Sequence, residues 1–503
     1  MQPVTTLRPF INGQFVDSKT EAFTNAFNPS TGEITARVPC CTAEEIEAAV
    51  LAAKAAFPGW SATPVFRRVE VLYRVRDLLL AHMEELTRLV AEENGKAWEE
   101  ARGDVLKAKE GTELALSAPS LLMGESLADT STGFDTVLSR EPLGVFAGIA
   151  PFNFPAMIPF GWMAPVCVAA GNALVLKAAS PTPRTALRIA ALYQEAGLPA
   201  GVLNVVTCAR TQAQALLTHP DIKGITFVGT TNVGLHVYSA AAAAGKRVQA
   251  LCEAKNHALV LEDAPLRRSA AGIVNAAFGC AGERCMALPV VVAQESIADA
   301  LAAELKEQAQ RRRIGPAYEK STELGPVVSA AHKASILRRI EEGLASGAQL
   351  ILDGRGCTVP GFENGFYVGP TIFDHVKPGM SVGESEIFGP VLCIKRVKDF
   401  EEGLALMNAS PFANGSVIFT QSGYYAREFA RRTQGGMVGV NVGIPVPVGV
   451  FPFSGHKRSF FGDAHCLGKD AFRFYTDSKV VTTRWFDEEE KRKQSTGTWD
   501  GTI

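Results

Sequence analysis

The stretch "GVFAGIAPFNFPAMIPFGWMAPVCVAAGNALVLKAASPTP", residues 144–183, decides the fold. From Pro142 to Leu176 it carries no charged residue, which on length alone could span a membrane. Pro151, Pro155, Pro159 and Pro165, with Gly161 and Gly171, interrupt the run, and Asn153 and Asn172 are polar. Prolines at this density break a helix repeatedly, so the stretch predicts a buried strand, a loop, a helix and a second strand in series.

Outward from it, short Val/Ile/Leu-rich runs alternate with helical patterns. "GVFAGIA" (144–150), "ALVLKAA" (173–179), "VLNVVT" (202–207), "GITFVG" (224–229), "VQALC" (248–252) and "ALVLE" (258–262) read as strands. They lack strict alternation, as strands buried on both faces of a parallel sheet do. "TALRIAALYQEAGLP" (185–199) reads as a helix stopped by Gly197 and Pro199. The repetition predicts a doubly wound α/β domain with ligands at the carboxyl ends of its strands. Residues 43–57 and 66–116 carry amphipathic helices. After Asp263 a second α/β pattern follows: helix 266–279, strand "PVVVAQ", helix 296–311 and a Gly-rich crossover near 353–370. A boundary is therefore expected near 262. "FRFYTDSKVVTTRWF" (472–486) alternates apolar and polar residues. It predicts a terminal strand whose exposed edge pairs subunits.

The 503 residues are 47% hydrophobic and 20% charged, enough for two or three domains. The net charge of -2 comes from 50 basic and 52 acidic residues, mixed along the chain. No basic patch marks a nucleic-acid or membrane-surface binder. "DEEEKRK" (Asp487–Lys493) mixes both signs and reads as a solvated end. Ten cysteines without regular spacing argue for a reducing compartment, and no Cys-x2-Cys or His-x3-His pair suggests a metal. "MQPVTTLRPFINGQ" lacks the basic-then-apolar order of a signal peptide, so a cytoplasmic location is expected.

Neither Gly-x-Gly-x-x-Gly nor a Walker A motif occurs. "FVGTTNVG" places Gly229 and Gly234 after a strand and into a helix, where free N–H groups could face a phosphate. Such turns also arise for steric reasons alone. In "FGCAGERCMAL" the glycines allow close backbone approach, and Cys285 follows Arg284, a cation that favours thiolate. The competing reading is a buried cysteine at a helix–strand turn. Asn153 sits among apolar groups just past a strand. Unpaired there, its amide would cost about 1–3 kcal/mol, so it caps the next helix or serves a developing oxyanion. "VQALCEAKNH" (248–257) sets Cys252 beside Glu253, which looks like a nucleophile with its base.

Together, "PFNFP", "LVLKAASPTP", "FVGTTNVG", "GERCMAL" and "ESEIFGPVL" resemble, in order and approximate spacing, the NAD(P)-dependent aldehyde dehydrogenases. The likeness runs from "INGQFVDS" to "KVVTTRW". It implies a dinucleotide-binding domain over 1–262, with part of 125–143 as an oligomerisation element, and a catalytic domain over 263–450. Residues 451–503 would return to the cofactor domain and supply an oligomerisation strand to a homotetramer, a dimer of dimers. The resemblance makes Cys285 the nucleophile and Asn153 the oxyanion donor. Lys177 would contact the adenosine ribose, beside Ser180 and Pro181. Thr230 would lie near the pyrophosphate, while Ala150, Phe152 and Cys252 would line the cofactor cleft. Glu386, with Phe388, would hold the nicotinamide ribose.

Hydrolytic members read Glu-Leu-Gly-Gly-Lys where this chain reads Leu251-Cys252-Glu253-Ala254-Lys255. Leu251 thus stands where their water-activating Glu belongs, and Glu253 at a glycine. Water has a pKa of ~15.7 and needs a base; a thiol near ~8.5 needs far less help. "QALCEAKNH" and "GVFPFSGHKRSFFGD" resemble the coenzyme A-acylating methylmalonate- or malonate-semialdehyde dehydrogenases. There the thioester passes to coenzyme A with loss of CO2. A hydrolytic enzyme with Glu253 as a displaced base is the alternative, and a binding protein on an inactive scaffold a third. The branch holds its substrate carboxylate with two arginines; Arg284 matches one, and Lys107 stands at the other, keeping the charge without the bidentate fork, so substrate choice could differ. Ser180 replaces a glutamate that would repel a 2′-phosphate, so NAD is expected with NADP tolerated.

Overall fold

The computed structural model describes residues 4–486; the run Asp487–Lys493 lies outside them. Among the described residues, one sheet runs in the order Phe460–Gly462, Arg247–Leu251, Ile222–Val228, Val145–Ile149, Ala173–Lys177, Leu203–Val206, Phe10–Ile11, Gln14–Phe15. From Arg247–Leu251 to Leu203–Val206 the neighbours are parallel; the outer strands join antiparallel. Leu174, Val175 and Leu176 are fully buried, which is why this strand shows no alternation. Successive strands step to one side of Val145–Ile149, then to the other. The order therefore reverses between Val145–Ile149 and Ile222–Val228, and a crevice opens beyond their carboxyl ends, at Ala150 and Gly229.

The uncharged stretch folds as strand Val145–Ile149, a loop, a π-helical turn Ile158–Met163, helix Ala164–Ala169 and strand Ala173–Lys177. Pro159 and Pro165 sit in first turns, where a missing N–H costs least. Asn172 is fully buried yet satisfied: it accepts from the N–H groups of Leu143 and Gly144 and donates to the Tyr475 carbonyl. No helix among the described residues is long and apolar enough to cross a membrane.

The second sheet is ordered Gln349–Leu352, Thr371–Asp374, Val391–Val397, Val290–Gln294, His257–Val260, Gly415–Phe419, Met437–Val440. This corrects the expected boundary near 262. His257–Val260 lies inside the second sheet, so the chain changes sheets between Leu251 and His257. Both sheets accept buried Val/Leu runs, and the parallel pairing of Leu259 with Val292 on one side and Ile418 on the other places the strand. The terminal segment is also corrected. Gly468–Tyr475 is a helix burying Ala471, Phe472, Phe474 and Tyr475, and the strand begins at Thr476. Thr476–Arg484 pairs with Phe134–Pro142, which pairs with Glu125–Ser131, in a small antiparallel sheet that leaves Val480 and Val481 exposed.

Candidate active site

Helix Leu266–Phe278 ends at Gly279, and the chain then takes left-handed values at Cys280, Ala281 and Gly282. A Cβ at Gly282 would lie 2.1 Å from the Gly389 carbonyl oxygen, so only glycine lets this loop press against the segment carrying Glu386 and Phe388. Both carboxylate oxygens of Glu100 accept from the Cys280 N–H at 2.8 Å. Downstream, Asn256 Nδ2 donates to the Cys285 carbonyl at 2.9 Å and to that of Ala287 at 2.8 Å. These bonds fix the backbone on both sides of a half-buried thiol. Burial, with the nearby charge of Glu386, pushes that thiol up to about 12. Alkylation of Cys285 in cofactor-free protein should accordingly keep rising, by about tenfold per pH unit, through about pH 9. A plateau near neutral pH, read by iodoacetamide kinetics, would contradict this.

Asn153 is not a helix cap. Its Nδ2 donates to the Glu283 carbonyl at 3.0 Å, bridging the loop after the first parallel strand to the cysteine loop. A side-chain amide has two N–H bonds, which leaves one for an oxyanion. The Asn153 loop is held in turn: Phe152's carbonyl accepts from Asn94 and Thr182, and Met157's N–H donates to Asp104. Asp104 pairs with Lys96, whose ammonium sits 3.4 Å from the Phe154 ring centre. Replacing Asn153 by alanine should lower kcat by roughly 10²–10³ while NAD binding holds. A loss under about tenfold, with the fold intact, would remove Asn153 from this role.

The cofactor-side residues gather around the crevice. Lys177 ends its strand and, with Ile149, Arg210, Phe227, Val233 and Val237, lines a cavity of about 240 Å³. Its ammonium is pushed down by burial. The cavity lies between helices Arg210–Thr218 and Thr231–Ala243 and suits an adenosine. Thr230 precedes the second of these helices. Cys252 is buried, its Sγ where a Cβ on Gly234 would collide at 2.2 Å. Phe152 and Phe388 meet edge to face at 5.8 Å. Glu386 accepts from the Ala254 N–H at 3.0 Å, and burial pushes its carboxyl up to about 8. The residues present therefore fit a dinucleotide.

Leu251 is 6% exposed, in an apolar cluster with Met286, Phe453 and Phe460 against which Cys285 packs. Glu253 Oε2 accepts from the Thr231 N–H at 2.9 Å. The two expected substrate cations are held by different partners. Arg284 pairs with Glu100 at 3.0 Å and donates to Cys280 Sγ, whereas exposed Lys107 pairs with Glu110 on the same helix. Ser180 and Pro181 are half-buried just beyond the Lys177 strand.

Four residues were not singled out from the sequence. Glu283 is fully buried, accepts from the Val328 N–H and lies 3.5 Å from His332 Nε2. Burial holds its carboxyl well above the usual range. His332 Nε2 donates to the Phe388 carbonyl, tying the cofactor-side loop to the cysteine loop. Asn256 and Arg210 complete the set. Asn256 stands between Lys255 and His257, and Glu283 beside Arg284, so neither is marked as a lone polar residue, and nothing local points to Arg210 or His332.

The sequence profile of the aldehyde dehydrogenase family matches residues 15–481. The chain belongs to the aldehyde dehydrogenase family. It is similar to malonate-semialdehyde dehydrogenase 2 of Geobacillus thermodenitrificans, with 49% identity over 96% of this chain and 100% of that one. Among solved structures it is similar to the methylmalonate-semialdehyde dehydrogenase of Oceanimonas doudoroffii (TM-score 0.95, 42% identity, 97% and 100% of the two chains). A structure described as a methylmalonate-semialdehyde dehydrogenase of Sinorhizobium meliloti complexed with NAD is equally alike (TM-score 0.95, 40% identity, 97% and 100%). As an aldehyde dehydrogenase, the chain is an oxidoreductase of the mixed α/β fold that these relatives share.

Proposed function

We propose that this enzyme oxidises malonate or methylmalonate semialdehyde with NAD and passes the acyl group from Cys285 to coenzyme A, giving acetyl- or propionyl-CoA and CO2. The Cys285 thiolate adds to the aldehyde carbon, and the second Asn153 N–H, with the Cys285 main-chain N–H, receives the oxygen's developing charge. Bound NAD would accept the hydride. The remaining thioester is attacked by coenzyme A thiolate, which expels Cys285 thiolate. CO2 leaves from the substrate's carboxylate end, and a proton replaces it.

The observation that carries this reading is the surroundings of the thiol. Leu251 stands at the water-base position in an apolar cluster against which Cys285 packs, and the carboxylates of Glu386, near the thiol, and of Glu253 are each bonded to a main-chain N–H. The Glu253 bond weighs against a displaced base. The retention of Cys285, Asn153, Lys177 and Glu386 together weighs against an inactive scaffold. The testing experiment follows NADH with malonate semialdehyde, with and without coenzyme A, and identifies the product. Free acid released at full rate without coenzyme A would make the enzyme hydrolytic. On this reading Arg284 and Lys107 share the substrate carboxylate; their present partners, Glu100 and Glu110, would have to yield or share them.

NAD is the assigned cofactor, with NADP accepted. No carboxylate stands at Ser180, and Arg210 lines the adenosine cavity beside Lys177. The expected kcat/KM ratio favours NAD by less than about a hundredfold, and Ser180→Glu should raise it by at least about tenfold through repulsion of a 2′-phosphate. A wild-type ratio above a hundred would overturn the tolerance. We take the enzyme to be a cytoplasmic homotetramer; the exposed valines of the edge strand Thr476–Arg484 support subunit pairing there. Light scattering returning a single-subunit mass would refute the assembly.

A further inference from the structure

The chain itself occupies the helix opening that faces the crevice. Helix Thr231–Ala243 follows the parallel strand Ile222–Val228 at the point where strand order reverses, where a doubly wound sheet receives a phosphate. Yet the Thr231 N–H already donates to a carboxylate, Glu253 Oε2, at 2.9 Å. Glu253 comes from the turn after the adjacent strand Arg247–Leu251 and is half-buried. That turn is clamped to the helix, because Cys252 Sγ sits against Gly234 with no room for a Cβ. The next N–H along, that of Ala254, donates to Glu386, and the charge of Glu253 adds to what raises the Glu386 carboxyl. Two carboxylates thus border one crevice, one of them on the donor a phosphate would use.

We propose that Glu253 is an internal competitor of the cofactor's pyrophosphate. It leaves the Thr231 N–H when the dinucleotide enters and returns to it as the dinucleotide departs. Two anions cannot share that single donor, and like charges brought together repel. Glu253 therefore weakens cofactor binding and speeds release, readying Cys285 for its next partner. This rests on reading the crevice as the NAD(P) site, and it gives a role to a glutamate standing where the hydrolytic relatives' motif carries glycine.

The test is NADH fluorescence titration and stopped-flow dissociation on the full chain, for wild type, Glu253→Ala and Glu253→Gln. Glu253→Ala is expected to lower the NADH Kd by about tenfold or more, chiefly through slower dissociation. Glu253→Gln keeps an acceptor for Thr231 but loses the charge, and should recover about threefold or more of that gain. Thermal unfolding of both variants reports the folded state directly. A Kd within twofold of wild type in both variants, or weaker binding, overturns the proposal. So does lost turnover in Glu253→Gln at saturating NAD with unchanged Kd, which would make Glu253 a base. Absence of NADH binding in the wild type would instead bring down the reading of the crevice, and this inference with it.

Discussion

Cys285→Ala is expected to cut NADH formation by roughly 10⁴-fold or more, because no covalent intermediate can form without the sulfur. The substitution deletes one half-buried atom and should cost only about 1 kcal/mol of stability. The backbone around it is held from outside: Glu100 binds the Cys280 N–H, Asn153 the Glu283 carbonyl, and Asn256 the Cys285 carbonyl. Loss of activity should therefore come with a nearly unchanged melting temperature and unchanged NADH binding. Cys252→Ala and Cys280→Ala serve as comparisons. Both of those thiols are buried, whereas Cys285 is half-buried and open to a substrate. NADH formation persisting in Cys285→Ala would reassign the nucleophile.

Withholding coenzyme A should lower steady-state turnover by roughly a hundredfold or more while leaving a first burst of about one NADH per site. Hydride transfer can finish without the acceptor, but the acyl group then stays on Cys285. Water, with a pKa of ~15.7, finds no base, whereas a coenzyme A thiol near ~8.5 supplies some thiolate at neutral pH. Leu251→Glu converts this argument into a constructive test. A carboxylate at that position should raise release of free acid without coenzyme A, and Leu251→Gln should not. Leu251 is buried among apolar side chains, so both variants lose stability, and their comparison isolates the base from the damage. Full turnover without coenzyme A in the wild type would end the acylating assignment.

How much of this was legible beforehand follows from where each signal resides. The parallel sheet was readable because strands buried on both faces must be apolar along their whole length, as Ala173–Leu176 are. The cysteine loop was readable because its glycines and the Cys285 position form a local pattern. The sheet change at 252–256 was not, since the strand at His257–Val260 is apolar whichever sheet receives it. The helix at Gly468–Tyr475 was hidden for a related reason. Its buried residues 471, 472, 474 and 475 follow helical spacing, but Phe472 and Phe474 taken alone alternate with Arg473 as a strand would.

What the sequence determined by itself, then, is the strand–helix pattern of the first sheet, and a candidate nucleophile, amide and leucine picked out by its resemblance to the aldehyde dehydrogenases. The pattern depends on residue type and on spacing along a few turns of chain; the candidates depend on five motifs read together in order. Only the tertiary structure decided what Glu253 touches, that Arg284 is held by Glu100, and that Glu283 and His332 join the two loops. Hydrogen bonds reach about 3 Å, and a side chain's partner across such a distance can come from a strand or helix a hundred residues away. No local pattern records which of those elements the fold brings near.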